Sequence, residues 1–374
     1  MKSFPTLFRD AIKNSLLFAD YLFWLVFDFS KFKKIDKTKI KKVIVIHKGA
    51  MGEILISTPI LKSLNENLHC RITYLLGKGK EIIVKNNPYV HNIITLSGDY
   101  NLDLENIKEG NFDLAVILSP CSIKMSRICS KAGIKYKIGG FPAIKSGPCF
   151  GLNKRTFPLW KRHAIEKNLD IIGLIGIDEK DPKIEFYPTK DDEKKIKNFL
   201  KKNSIKKYVI IHPGFGGGKD LKYPSRYWPE ERYAEVADYL IERKKINVLI
   251  TGIENENKIA EKIITSSKHR GKIVNCCGKF SFNEIGSLVK RTKLIIEPGT
   301  SIEHLACAFN IPVVSLFGRN DVWEWYLYYN GGKQLFHNEV CTSCNLDECR
   351  KKTTECLGAI NTKEVINEIE KLIK

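Results

Sequence analysis

From Lys42 onward, short runs of branched apolar residues alternate with longer amphipathic stretches. Val43–His47 reads as a buried strand, Lys48–Gly52 as a glycine loop, and Glu53–Asn67 has the apolar spacing of a helix. Arg71–Leu76, Ile93–Leu96 and Asp113–Leu118 are the next strands. The charged stretch Thr189–Lys207, helical in part, interrupts the pattern, which then restarts. Tyr208–His212 is a strand, Pro213–Gly218 a glycine loop and Glu230–Arg243 a helix; Asn247–Thr251, Lys272–Asn275, Lys293–Glu297 and Val313–Phe317 are strands. Unbroken apolar runs between helices are what parallel strands covered on both faces carry. The alternation predicts an α/β chain of two Rossmann-like domains, residues 42–190 and 205–360, followed by a helix over 361–374. Their carboxyl edges are expected to face each other across a cleft, the default place for a ligand.

Residues 1–41 break this pattern. Ser15–Phe29 is dense in Leu, Phe, Trp and Tyr, and Lys31, Lys33, Lys34, Lys37, Lys39 and Lys41 follow. The apolar run carries Asp20 and Asp28 and falls short of the roughly 20 uninterrupted residues a spanning helix needs. It predicts an amphipathic helical arm lying in a membrane interface, its lysines on anionic headgroups. Packing on the protein's own surface or on a second subunit is the alternative. No small-residue cleavage site follows the run, so no leader is expected.

Charge changes the picture more than composition does. Lys and Arg number 62 against 42 Asp and Glu, a net charge of +20, so an anionic partner surface is expected. No repeat or aromatic RNA-binding strand pair is present, and nucleic acid is not the expected partner. Of the eleven cysteines, Cys70, Cys121, Cys129 and Cys307 lie in apolar segments and read as buried thiols of a reducing cytosol.

Four patterns carry candidate chemistry. In Ile295–Gly318 a buried strand runs into the turn Gly299-Thr300-Ser301, a helix and a second strand. Backbone N–H groups and the positive end of the helix dipole make such a turn an anion seat, with His304 just inside the helix. Lys48, Gly49 and Gly52 build a tight loop after the first strand and put Glu53 at a helix start. There Glu53 is either a general base or an acid that complements the helix dipole. The glycine loop after His212, with Lys222 and Arg226, offers open backbone and cations to a diphosphate. Cys341, Cys344, Cys349 and Cys356 lie within sixteen residues, a thiolate set for a structural Zn or iron, with disulfides and free thiols as alternatives.

These residues resemble glycosyltransferase family 9, the lipopolysaccharide heptosyltransferases, over about residues 42–370. The likeness rests on Val43–Leu61, His212–Gly214 with Arg226–Arg232, Thr251–Gly252, Thr300–Ala306 and Pro312–Gly318. The resemblance implies a GT-B fold and an inverting transfer that needs no metal or other cofactor. The implied donor is a nucleotide sugar, ADP-heptose above others, bound by the second domain. The implied acceptor is a lipid-linked glycan, the lipopolysaccharide inner core, held by the first domain at the cytoplasmic face of the bacterial inner membrane. It also implies Glu53 as base, where the family usually has Asp, which would move the base by about 1 Å. Gly299 stands where the family often has Asp, Arg226 where it often has Lys, and Glu254 or Glu256 is the implied ribose- or base-contacting acid. Another nucleotide sugar, a glycan or protein acceptor, or a weakly active membrane-bound scaffold are the alternatives these departures leave open.

Overall fold

The computed structural model describes residues 35–141, 151–156, 161–214, 227–318, 322–329, 331–337, 339–340 and 355–373. The interfacial helix expected within residues 1–34 lies outside them. The chain divides into two compact units, Met1–Lys183 and Ile184–Lys374.

The first unit holds β1 (Lys42–Ile46), β2 (Arg71–Gly77), β3 (Val90–Leu96), β4 (Leu114–Ile117), β5 (Tyr136–Gly139) and β6 (Lys154–Arg155). They pair in the order β3-β2-β1-β4-β5-β6, and every pair is parallel. The apolar run of β1 is central because both its faces are covered: Val43, Ile44 and Val45 are fully buried. The second unit repeats the plan with β7 (Tyr208–Ile211), β8 (Asn247–Ile250), β9 (Ile273–Asn275), β10 (Ile295–Glu297), β11 (Val313–Leu316) and β12 (Lys333–Leu335). Its order is β12-β11-β10-β7-β8-β9, again all parallel. In each sheet the first strand has its successors on one side and the later strands on the other. A crevice therefore opens at the carboxyl edge between β1 and β4, and another between β7 and β10. The expected α/β architecture of two Rossmann-like units is present.

The expected helix Glu53–Asn67 is two helices, Met51–Leu55 and Pro59–Leu68. Pro59 has no N–H to return to the carbonyl of Leu55. Thr58 takes that carbonyl instead, through its amide (3.0 Å) and its hydroxyl (2.7 Å). Ser57 bonds Ile54 in the same way (2.7 Å) and also meets the buried Tyr74 hydroxyl at 2.6 Å.

The second unit begins with a segment held by Phe186, whose ring packs edge-on to Phe282 and Phe309. Thr189 then caps the helix Lys190–Lys202 in a capping box with Asp192. At the other end of the chain, Val365 and Ile369 of the helix Thr362–Leu372 join the same core as Tyr233 and Leu240 of the helix Glu230–Lys244. Trp228 donates its indole N–H to the Ile360 carbonyl (2.9 Å), and the Arg232 guanidinium donates to the carbonyls of Gly358 (2.7 Å) and Ile360. No helix among the described residues is long and apolar enough to cross a membrane.

Candidate active site

At the carboxyl edge of the first sheet, the loop after β1 turns directly into the helix Met51–Leu55. Glu53 is the third residue of that helix, and its carboxylate accepts the Ala50 N–H. Gly49 makes this possible: a Cβ there would stand 2.7 Å from His47 Cε1 and 2.8 Å from Glu53 Cβ. The Gly49 N–H donates to His47 Nδ1 (3.3 Å), which assigns the ring proton to Nε2. Burial pushes that imidazole down to about 4, so it is neutral at pH 7. Lys80 donates to the carbonyls of Gly49 (2.6 Å) and Lys48 (3.4 Å). Partial burial, and then the nearby Lys124, lower the Lys48 ammonium below its ordinary value. Lys48 and Gly49 on the loop, and Gly52 and Glu53 in the helix it opens, are thus gathered at the switch point, with Lys80 bound to the loop.

In the second sheet the turn Gly299-Thr300-Ser301 leaves β10 beside the loop that leaves β7, since the His212 N–H donates to the Ile296 carbonyl (2.9 Å). Gly299 has φ +76°, and a Cβ on it would lie 2.5 Å from the Phe317 ring. Only glycine meets both conditions without strain. Thr300 is the N-cap of the helix Ser301–Phe309, its hydroxyl accepting the Ile302 N–H (3.2 Å). His304 sits one turn into that helix, buried and pushed down to about 4 by burial, hence a neutral imidazole. The turn's N–H groups are less open than the sequence alone suggests: the Thr300 N–H is already accepted by the buried Glu297 carboxylate.

Glu254 and Glu256 share the short turn after β8, on the far side of β7 from the Gly299 turn. Glu254 is exposed, whereas Glu256 is 1% exposed and accepts the Ile253 N–H at 2.8 Å. The Glu256 carboxylate lies against Gly214, where a Cβ on Gly214 would fall. Beside it, His212 Nδ1 meets the Thr251 hydroxyl at 3.0 Å, and burial holds His212 below its ordinary value. Gly214 and Glu256 thus bring the loop after β7 together with the turn after β8. Lys222 and Arg226 lie outside the described residues, as do Cys341, Cys344 and Cys349. Cys356 is buried, its thiol donating to the Gly318 carbonyl at 3.3 Å. Glu297, Glu303 and Ser315, three buried polar residues around the Gly299 turn, are not among the candidate site residues of the motifs above. The signal available was a charged or hydroxyl side chain inside otherwise apolar runs.

Two parallel Rossmann-like units, each with a glycine-bearing loop at its switch point, are the architecture of the GT-B fold. The model of glycosyltransferase family 9 (heptosyltransferase) matches residues 104–355, and the chain belongs to that family. It is 24% identical over 342 residues to lipopolysaccharide heptosyltransferase 3 of Escherichia coli K12, covering 86% of this chain and 95% of that one. Its fold is similar to the glycosyl transferase family 9 protein of Veillonella parvula (TM-score 0.75, 18% identity, 91% and 98% coverage). It is also similar to E. coli ADP-heptose LPS heptosyltransferase II (TM-score 0.73, 18% identity, 88% and 98% coverage). The resemblance drawn from the motifs is borne out, and the chain is a glycosyltransferase.

Proposed function

We propose that the chain moves a heptose from ADP-heptose to a lipopolysaccharide inner-core acceptor, with inversion at the transferred carbon. The names of the E. coli relatives, lipopolysaccharide heptosyltransferase 3 and ADP-heptose LPS heptosyltransferase II, support donor and acceptor. The observation that carries the reading is the matched placement of Glu53 at the switch point of one sheet and the Gly299–Ser301 turn at that of the other. In this reading Glu53 takes the proton from an acceptor hydroxyl, the freed oxygen attacks the anomeric carbon, and the bond from that carbon to the diphosphate breaks. Lys222, Arg226 and the Thr300/Ser301 turn receive the charge that develops on the departing ADP, with His304 and Glu254 on the donor side as well. Lys48, Gly49 and Gly52 shape the acceptor side. No cofactor is needed for these steps.

The basic arm preceding Lys42 supports a peripheral position on the anionic cytoplasmic face of the inner membrane. The Cys341, Cys344, Cys349 and Cys356 cluster is proposed as a structural Zn or iron site on its thiolate donors, a proposal that metal analysis of the purified protein decides.

Nucleotide release tests the transfer. Purified protein is given ADP-heptose and UDP-, GDP- and CMP-sugars in turn, with and without truncated lipopolysaccharide. Acceptor-dependent ADP release from ADP-heptose alone is expected. Release from another nucleotide sugar overturns the donor, and release that ignores the acceptor overturns the lipopolysaccharide assignment.

A further inference from the structure

Beneath the Gly299 turn, the Ser315 hydroxyl lies 2.6 Å from Glu297 Oε1 and 2.6 Å from Glu303 Oε2. All three residues are at most 1% exposed. A serine hydroxyl carries one hydrogen and can donate to only one carboxylate, so the second contact needs a proton on a carboxyl group. The surroundings place it on Glu303. Its Oε1 has no hydrogen-bond partner, a state far less costly for a neutral acid than for a buried carboxylate. Burial raises Glu297 as well, but Glu297 accepts from Ser315 and from the Thr300 N–H, bonds that favour its charged form. Burial and the neighbouring Glu297 both raise Glu303 well above the ordinary carboxylate range. The other titratable groups facing the pair are Tyr233, Cys307 and Tyr329, which burial makes weaker acids than usual and which are neutral at pH 7.

Glu303 is the third residue of its helix, where an acid ordinarily reaches back to the N-cap amide. Here it points inward, and Glu297, from the strand before the turn, takes the Thr300 N–H in its place. The Gly299 turn therefore hangs from a directed chain: Glu303 donates to Ser315, Ser315 donates to Glu297, and Glu297 accepts from the turn. We propose that Glu303 and Ser315, acting through Glu297, are positioning residues of the donor's diphosphate seat, and that one proton shared in this trio keeps a second negative charge from building up beneath the diphosphate. The proposal rests on the donor reading for its diphosphate and on the hydrogen-bond count for its proton.

The test uses Glu303→Gln, Glu297→Gln and Ser315→Ala in the full chain, with ADP as the probe. The Glu303→Gln amide can donate to Ser315 as the protonated acid does, so ADP affinity at pH 7 should stay within about twofold of the parent. Glu297→Gln should weaken ADP about tenfold, the scale of one charge-assisted hydrogen bond. As the pH is raised from neutral, ADP affinity of the parent protein should fall with loss of the shared proton, and Glu303→Gln should flatten that fall. Matching pH profiles, or equal losses from Glu303→Gln and Glu297→Gln, overturn the proposal. Amide hydrogen exchange of residues 299–302 without ligand keeps the two readings apart. Faster exchange in Ser315→Ala and Glu297→Gln but not in Glu303→Gln upholds the relay even if ADP does not bind, in which case the donor reading alone falls. Unchanged exchange in all three variants overturns the relay.

Discussion

Gly214 packs its Cα against the carboxylate of Glu256, so the loop after β7 sits directly on the turn after β8. A methyl group at 214 has nowhere to go unless this loop lifts or Glu256 leaves its bond to the Ile253 N–H. Gly214→Ala should therefore cost about 1–3 kcal/mol, as overpacking of a filled site does. Its larger effect should be on nucleotide affinity, since the displaced loop borders the β7/β10 crevice. Calorimetric titration with ADP, beside a urea unfolding curve, checks both parts; wild-type ADP affinity in a properly folded variant would contradict it.

Glu53→Gln separates the two duties of that side chain. The amide oxygen can still accept the Ala50 N–H, so the helix start should survive with stability changed by less than about 0.5 kcal/mol. What the amide cannot do is take a proton. Transfer should fall by about a hundredfold or more while ADP binding is unchanged. Activity near the parent rate would mean that another group is the base.

Gly299→Ala should be among the more damaging single-methyl changes in the second unit. The residue has φ +76° and its missing Cβ would lie 2.5 Å from the Phe317 ring. Left-handed backbone at a residue with a side chain costs about 1–3 kcal/mol. Urea midpoints of parent and variant measure this directly, and a difference near zero would show that the turn can relax.

Acid should destabilise the protein through buried imidazoles, His47 and His304 above all, with His212 lowered in the same direction. His47 and His304 are each pushed down to about 4 by burial, against an ordinary value near 6.5. Between those values the unfolded chain binds a proton that the folded chain does not, so stability is complete above about pH 6.5 and is lost as the pH falls toward 4. Each histidine can contribute up to about 3 kcal/mol over that window. Melting temperatures from pH 7.5 to 5 should fall, and His304→Gln should make the fall shallower. A parallel curve for that variant would mean the ring titrates alike in both states.

Much of this molecule could be read from its residues. The fully apolar runs Val43–Ile46 and Tyr208–Ile211 announce central parallel strands, because only strands covered on both faces can bury such runs. Gly299 was legible as part of a turn because few residues tolerate its backbone. Other elements gave no such signal. Tyr136–Gly139 carries Lys137 in mid-strand, with its amine on the Ile134 carbonyl (2.6 Å), and Lys333–Leu335 is a three-residue edge strand. The break at Ser57 and Thr58 was hidden because the apolar spacing continues through it; Pro59 was the available cue. Glu297 and Ser315, with Glu303 between them, are 18 positions apart and meet only through the pairing of β10 with β11, in which Glu297 lies opposite Ser315. Register of that kind is a tertiary fact, and a serine in an apolar strand does not declare its partner.

The clasp formed by Trp228, Arg232 and the carbonyls of Gly358 and Ile360 has a consequence for the order in which the protein is made. The helix Glu230–Lys244 completes its core with Val365 and Ile369, which lie far further along the chain. The first unit holds all of its strands before residue 184 and can fold as soon as they have emerged, whereas the second cannot close its core until the helix Thr362–Leu372 has emerged. A ribosome-bound chain stopped before Asn361 should show a protease-resistant first unit and a second that is still digested. Maturation of the second unit is in this sense timed by the emergence of that helix rather than by completion of its sheet.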